Sequence, residues 1–295
     1  MEQKFVLSCE STVDLPYEYV VKKDIHVIFY NFVFNGELYE DNMCRTEGYL
    51  ETFYNWLKSG FNISTSQINR YQYVDYFRKL LDKGDLLHLC FSSGMSESYH
   101  NALSVLEELK EEYPDRKIEI VDSLAGSSGY GLLVECASDL RDEGKSIEEV
   151  RDWILENRLN IHHEFYSTNI MYFKKSGRIS GAAALIGTLF NICPLMKLDR
   201  DGRIYAYSKV HGKRKAINHS VDNMIENAIN GSEYDGKCFI AHSDCEEDAI
   251  CLKTLIEENF HNLKDKVKIL NIGTTIATHC GTGTVALFYL GNQRQ

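Results

Sequence analysis

Short apolar runs alternate with amphipathic stretches through the first half of the chain: Phe5 to Leu7, Arg70 to Leu81, Leu86 to Phe91, Ser96 to Glu112, Ile118 to Val121 and Gly131 to Glu143. Strands and helices in alternation predict a mostly parallel sheet flanked by helices. The stretch from 96 to 112 has the clearest helical face, with Tyr99, Leu103, Leu106 and Leu109 three or four residues apart and charged residues between them. Ser146 followed by Glu149 makes a capping-box pattern and predicts a connecting helix from Ile147 to Leu159. Beyond it the pattern changes. Ile192 to Leu198 and Ile204 to Val210 flank Asp199-Arg-Asp-Gly202, whose Asp-Gly pair predicts a hairpin and therefore antiparallel strands. Helices at about 213–229 and 246–259 and strands near 237–241, 267–272 and 284–290 complete a mixed α/β second half. The expectation is an α/β protein of two domains, 1–160 with a mostly parallel sheet and 161–295 with a mixed or antiparallel sheet and helices.

A length of 295 residues exceeds what one hydrophobic core usually serves, in keeping with two domains. Apolar residues at 44% and charged residues at 25% exclude a disordered chain. The opening MEQKFVLSCESTVD lacks the basic start and apolar stretch of a secretory signal. The richest apolar stretch, Ala182 to Met196, is broken by Gly187, Asn191 and Pro194, short of the roughly 18 residues a spanning helix needs. We therefore expect a cytoplasmic protein without stable membrane insertion.

Nine cysteines, an odd number with no pair at the spacing of zinc or redox sites, read as reduced thiols. His162 and His163 are adjacent and cannot share a helix face, so neither metal nor cofactor is expected. A net charge of −11 argues against nucleic acid, which needs clustered cations. The charge is uneven: residues 172–215 hold ten Lys or Arg against Asp199 and Asp201, a net +8, so the other 251 residues sum to −19. That reversal points to an anionic ligand or an acidic partner near the segment, although a solvated surface reads the same way.

Three loops rich in hydroxyls or glycine fall where strands end, the place where open α/β sheets bind ligands. Ser64-Thr65-Ser66-Gln67 precedes a helix starting near Asn69, and Ser92-Ser93-Gly94 lies between a strand and the helix from Ser96. Either can bind an anion or simply cap its helix. The third, from Gly273 to Gly283, sets His279 among glycines and threonines, where it reads equally as a ligand contact or a buried structural histidine. Its Gly-x-Gly-x-x-Ala spacing at 281–286 runs into a strand rather than a helix, which excludes a dinucleotide site. No phosphate-binding Gly-x-x-x-x-Gly-Lys loop and no Gly-x-Ser-x-Gly elbow occurs.

With these loops, Ser11-Thr12-Val13-Asp14-Leu15-Pro16, Val121-Asp122-Ser123, Tyr172 to Gly181, Pro194 to Gly202 and His211-Gly-Lys-Arg-Lys-Ala216 follow in an order and spacing that resembles the DegV family of bacterial fatty-acid-binding proteins over essentially the whole chain. The resemblance implies a long-chain fatty acid buried between two domains, its carboxylate met by Thr65, Ser93 and His279, with Ser92 as a further candidate. It also implies a non-enzymatic role as the acyl-carrying subunit of a fatty acid kinase, in which a separate ATP-binding protein phosphorylates the acid. The missing phosphate loop fits that division of labour. Ile68-Asn69, Glu97 and Thr282 depart from the family's usual Pro-Ser, Gly and Pro. They bear on chain preference and partner identity.

On this reading the tail lies along Ala182 to Phe190 and Val285 to Leu290, although a buried helix and strand need no ligand to explain them. Arg178, Lys213 and Arg214 are expected to dock the acidic kinase subunit. Two other classes stay open: an acyl hydrolase using Ser93 with His279 as base, and a regulatory lipid-sensing module without a kinase partner.

Overall fold

The computed structural model describes residues 5–180 and 191–294. The first sheet is built from β1 (Val6–Glu10), β2 (Ile25–Ile28), β6 (Leu86–Cys90) and β7 (Ile118–Asp122), all parallel in the order β2-β1-β6-β7. Every residue of β6 is buried, as expected of a central parallel strand covered on both faces. Helices α1 (Tyr17–Lys22), α3 (Arg70–Leu81), α4 (Ser98–Leu103), α5 (Leu106–Glu112), α6 (Ser127–Asp142) and α7 (Ile147–Asn157) flank it. The capping box predicted for α7 is present: Ser146 Oγ accepts the Glu149 N–H at 3.2 Å, and Glu149 accepts the Ser146 N–H at 2.8 Å.

The structure departs from the sequence expectation at two places. The stretch 96–112 is two short helices, because Ser104 Oγ donates back to the Asn101 carbonyl at 2.7 Å and competes with the backbone ladder. A second sheet was also unforeseen: β3 (Asn31–Phe34), β4 (Glu37–Glu40) and β5 (Ile63–Ser66) run antiparallel in the order β4-β3-β5. Asn35 and Gly36, at φ 52° and 83°, form the tight turn between β3 and β4. Helix α2 (Tyr49–Lys58) lies on this sheet through Phe53 against Phe32 and Trp56 stacked 4.2 Å from Phe34.

The third sheet has seven strands: β8 (Ile161–Ser167), β9 (Ile179–Ser180), β10 (Ile192–Leu198), β11 (Ile204–His211), β12 (Cys238–His242), β13 (Lys268–Asn271) and β14 (Thr284–Leu290). The order is β13-β12-β14-β8-β10-β11-β9, parallel only at β12/β13 and β11/β9, so the expected mixed sheet is found. With it come α8 (Met171–Ser176), α9 (Lys213–Asn227), α10 (Glu246–Asn259) and α11 (Thr274–Cys280). Helix α6 is buried along most of its length, between the first sheet and the strands β8, β12 and β14. One core joins residues of all three sheets; another lies on the far side of the seven-stranded sheet. Strand β14 separates them by alternation, Ala286 and Phe288 facing the first and Val285, Leu287 and Tyr289 the second.

Candidate functional site

A cavity of about 660 Å³ opens on the inner side of this arrangement, within the ~300–1,000 Å³ usual for small-molecule sites. Its buried wall carries an apolar stretch, Phe165 from β8, Phe173 from α8, Ile272, and Ala286 and Phe288 from β14, beside buried polar residues such as Thr12, Thr275 and His163. The exposed lining residues Ser66, Gln67, Glu97 and Arg178 mark its mouth.

Thr65 and His279, 214 residues apart in sequence, meet at this cavity, with Thr65 Oγ1 2.8 Å from His279 Nε2. Thr65 stands on β5, opposite Phe32 of β3, rather than in a loop. His279 likewise stands on a helix: residues 274–280 form α11, where glycines and threonines suggested a loop. Burial, and secondarily the positive charge of Arg178, pushes the imidazole pKa down to about 4, so the ring is neutral at pH 7. A neutral ring with its proton on Nε2 donates to Thr65 and leaves the threonine hydroxyl proton free for an anion. Nδ1 is buried and has no hydrogen-bond partner among the described residues.

Ser93 also lines the cavity, and its hydroxyl makes no hydrogen bond among the described residues. Asp122 holds it in place by accepting the Ser93 N–H at 3.2 Å and the Leu124 N–H at 3.0 Å, which gives Val121-Asp122-Ser123 a local purpose. Ser92 points elsewhere. Its hydroxyl donates to the Gly202 carbonyl at 2.8 Å and accepts the Gly94 N–H at 3.1 Å, and it is absent from the cavity wall. It docks the β10–β11 turn onto the serine loop, at an approach so close that a Cβ on Gly94 would lie 2.4 Å from the Asp201 carbonyl.

The cations of residues 172–215 do not gather around this mouth. Arg178 lines it, whereas Lys213 pairs with Asp248 at 2.8 Å and Arg214 lies against Cys251, both on the side of α9 that faces α10. Lys197 pairs with the buried Glu164 at 2.9 Å. Such residues are spread by the fold because β10, β11 and α9 point their side chains to different faces. Ala182 to Phe190, one expected wall for the tail, lies outside the described residues. For the other wall, Thr284, Ala286 and Phe288 line the cavity, while Val285, Leu287 and Tyr289 face the second core.

His163 is a lining residue that sequence reasoning passed over except as a metal candidate. Its Nε2 accepts the Gly126 N–H at 3.2 Å and its Nδ1 lies 3.1 Å from the Ile161 carbonyl, so both nitrogens are engaged and burial holds the ring neutral. Strand β8 reads Ile-His-His-Glu-Phe-Tyr-Ser, with no alternation of apolar and polar positions, so no local sequence signal marked it.

A family model described as "Uncharacterised protein, DegV family" matches residues 4–292. The chain belongs to the DegV family. A DegV domain-containing protein of Clostridium perfringens is 37% identical over 99% of both chains. Among solved structures, a Thermotoga maritima protein reported to reveal a fatty acid binding function superposes with a TM-score of 0.82 at 25% identity, covering 98% of this chain and 100% of that one. A DegV family protein from Thermus thermophilus, reported for fatty acid binding, gives 0.83 at 25% identity over 98% and 99%. The parallel first sheet and the mixed sheet after it thus form the DegV fold. Among the described residues no helix is long and apolar enough to cross a membrane.

Proposed function

We propose that this DegV protein carries one long-chain fatty acid in the cavity and presents its carboxylate to a separate ATP-binding kinase subunit, which forms the acyl phosphate. The observation that carries the reading is the neutral Thr65–His279 pair beside the uncommitted Ser93 hydroxyl, on the wall of a cavity whose far side carries Phe165, Phe173, Ile272, Ala286 and Phe288. Neutral donors orient a carboxylate without a guanidinium fork competing for its lone pairs. The tail supplies affinity: about 15 methylene and methyl groups at ~0.8 kcal/mol each amount to ~12 kcal/mol before the costs of immobilisation. In this reading the two domains divide near residue 160, between α7 and β8, and the acid lies where their sheets meet. The exposure of Arg178 at the mouth supports a role for it in meeting the kinase or its phosphates. The contact of His279 with Thr65 rather than Ser93 weighs against an acyl hydrolase.

Mass spectrometry of the organic extract from purified protein tests the binding step. About one fatty acid per chain is expected; protein that stays unliganded in native spectra after incubation with palmitate or oleate overturns it. For presentation, Arg178→Glu should leave acid content unchanged and abolish acyl-phosphate formation with a cognate kinase and ATP. Phosphorylation at the normal rate, with no change in half-saturating kinase, moves the docking surface elsewhere.

A further inference from the structure

The Ser11-to-Asp14 motif finds its use outside the head group, in a pair of buried carboxylates. Asp41, just after β4 and 1% exposed, accepts from Ser11 Oγ at 3.1 Å and from Thr274 Oγ1 at 3.0 Å. Asp14, 6% exposed, accepts the Gly273 N–H at 2.9 Å through one oxygen and the Ser127 hydroxyl through the other. Burial holds both carboxyls above their ordinary range, and the charge of Asp41 adds to the effect at Asp14. Two carboxyls buried together are an expensive way to fill space, since apolar residues of similar volume pack there without the desolvation cost. What carboxylates supply is several strong acceptor positions in fixed directions.

Those positions join the two elements that carry the head-group pair. Asp41 continues the three-stranded sheet whose β5 holds Thr65, and Gly273 and Thr274 open α11, whose sixth residue is His279. Helix α11 has seven residues, about two turns, too short to hold a direction by itself. From its first residue to His279 is a lever of roughly 7.5 Å at 1.5 Å per residue. A tilt of about 10° at the anchored end therefore moves the imidazole by about 1.3 Å, enough to break a 2.8 Å hydrogen bond.

We propose that Asp41, supported by Asp14, is a positioning residue that locks α11 against the three-stranded sheet and so keeps His279 on Thr65. Its consequence for binding rests on the reading of that pair as the carboxylate's partners. The experiment compares Asp41→Ala, Asp41→Asn and Thr274→Val in the full chain by three readouts: dissociation constants for palmitate and hexadecanol, NMR titration of His279, and thermal unfolding. Asp41→Ala should weaken palmitate about 10- to 100-fold and hexadecanol less than threefold, and should move the His279 midpoint up from about 4 as its surroundings loosen. Asp41→Asn, which keeps the shape and one of the two acceptor oxygens, should recover part of both. Thr274→Val removes a single donor and should show the same split more weakly, which keeps the test available if Asp41→Ala fails to fold. Equal losses for acid and alcohol with an unmoved His279 midpoint overturn the proposal and leave Asp41 an ordinary core anchor. If Thr65→Val leaves the acid-to-alcohol ratio untouched while Asp41→Ala still shifts the His279 midpoint, positioning stands and the head-group reading is what fails.

Discussion

Thr65→Val removes one hydroxyl and little else. Valine keeps the branched shape that suits β5, so the pairing with Phe32 has no reason to change. In the free protein His279 then loses its only hydrogen bond among the described residues, because Nδ1 already has none. In the complex the carboxylate loses a donor to a charged acceptor, about 1.5–3 kcal/mol. The free-state loss offsets part of that, so a net 1–2 kcal/mol remains, or roughly 5- to 30-fold in dissociation constant. The assay is displacement of a fluorescent acyl probe by palmitate and, separately, by hexadecanol, which buries the same tail without the charge. The acid should lose 5- to 30-fold and the alcohol less than threefold, with His279→Ala and the double variant showing coupling between the two sites. Equal losses for acid and alcohol, or full additivity, refute the claim that this pair receives the carboxylate and leave it a clamp between β5 and α11.

Ser93→Ala should weaken palmitate by about tenfold and leave the unfolding midpoint nearly unchanged, since its hydroxyl makes no hydrogen bond among the described residues; a destabilised variant with normal affinity contradicts this. Stability should depend on pH through His279: a folded pKa near 4 against ~6.5 unfolded contributes roughly 3 kcal/mol above pH 6.5, lost as pH falls from 6.5 toward 4. Urea unfolding at pH 7.5, 6 and 5 should show that slope in the wild type and a shallower one in His279→Gln, the remainder coming from His163, whose ring burial also holds neutral. Ala286→Phe, on the buried wall of the cavity, should shift extracted acids toward shorter chains by mass spectrometry while the total stays near one per protein; an unchanged chain-length profile means the tail runs elsewhere.

The parts legible in the sequence were those whose signals are local. Helix α3 reads at its observed limits, Arg70–Leu81, and the Asn69 capping box with Gln72 explains its sharp start. The β10–β11 hairpin follows from Asp201-Gly202. The three-stranded sheet was missed because its strands are four residues long and only partly apolar, although Asn35-Gly36 was a hairpin signal in plain view. Helix α11 was missed for the opposite reason: its residues look unlike a helix, and distant carboxylates hold it. The meeting of Thr65 with His279 has no local signature at all, and reached the sequence reading only through the family's pattern of motifs. The basic cluster shows the limit of counting charge along a chain, since neighbours in sequence such as Arg178, Lys197 and Lys213 end on different faces.

The alternation along β14 separates two kinds of selection within one strand. Thr284, Ala286 and Phe288 line the cavity, where on the proposed reading a change of side chain trades one acid for another. Odd-numbered positions close the second core, where the same change costs stability. Tail preference can thus drift in evolution by substitutions at 284, 286 and 288 that leave the far side intact. Insertion or deletion of a single residue in the strand would exchange the two sets and ruin both. Among DegV relatives, lipid preference should therefore diversify by point replacement on this strand, with its length held constant.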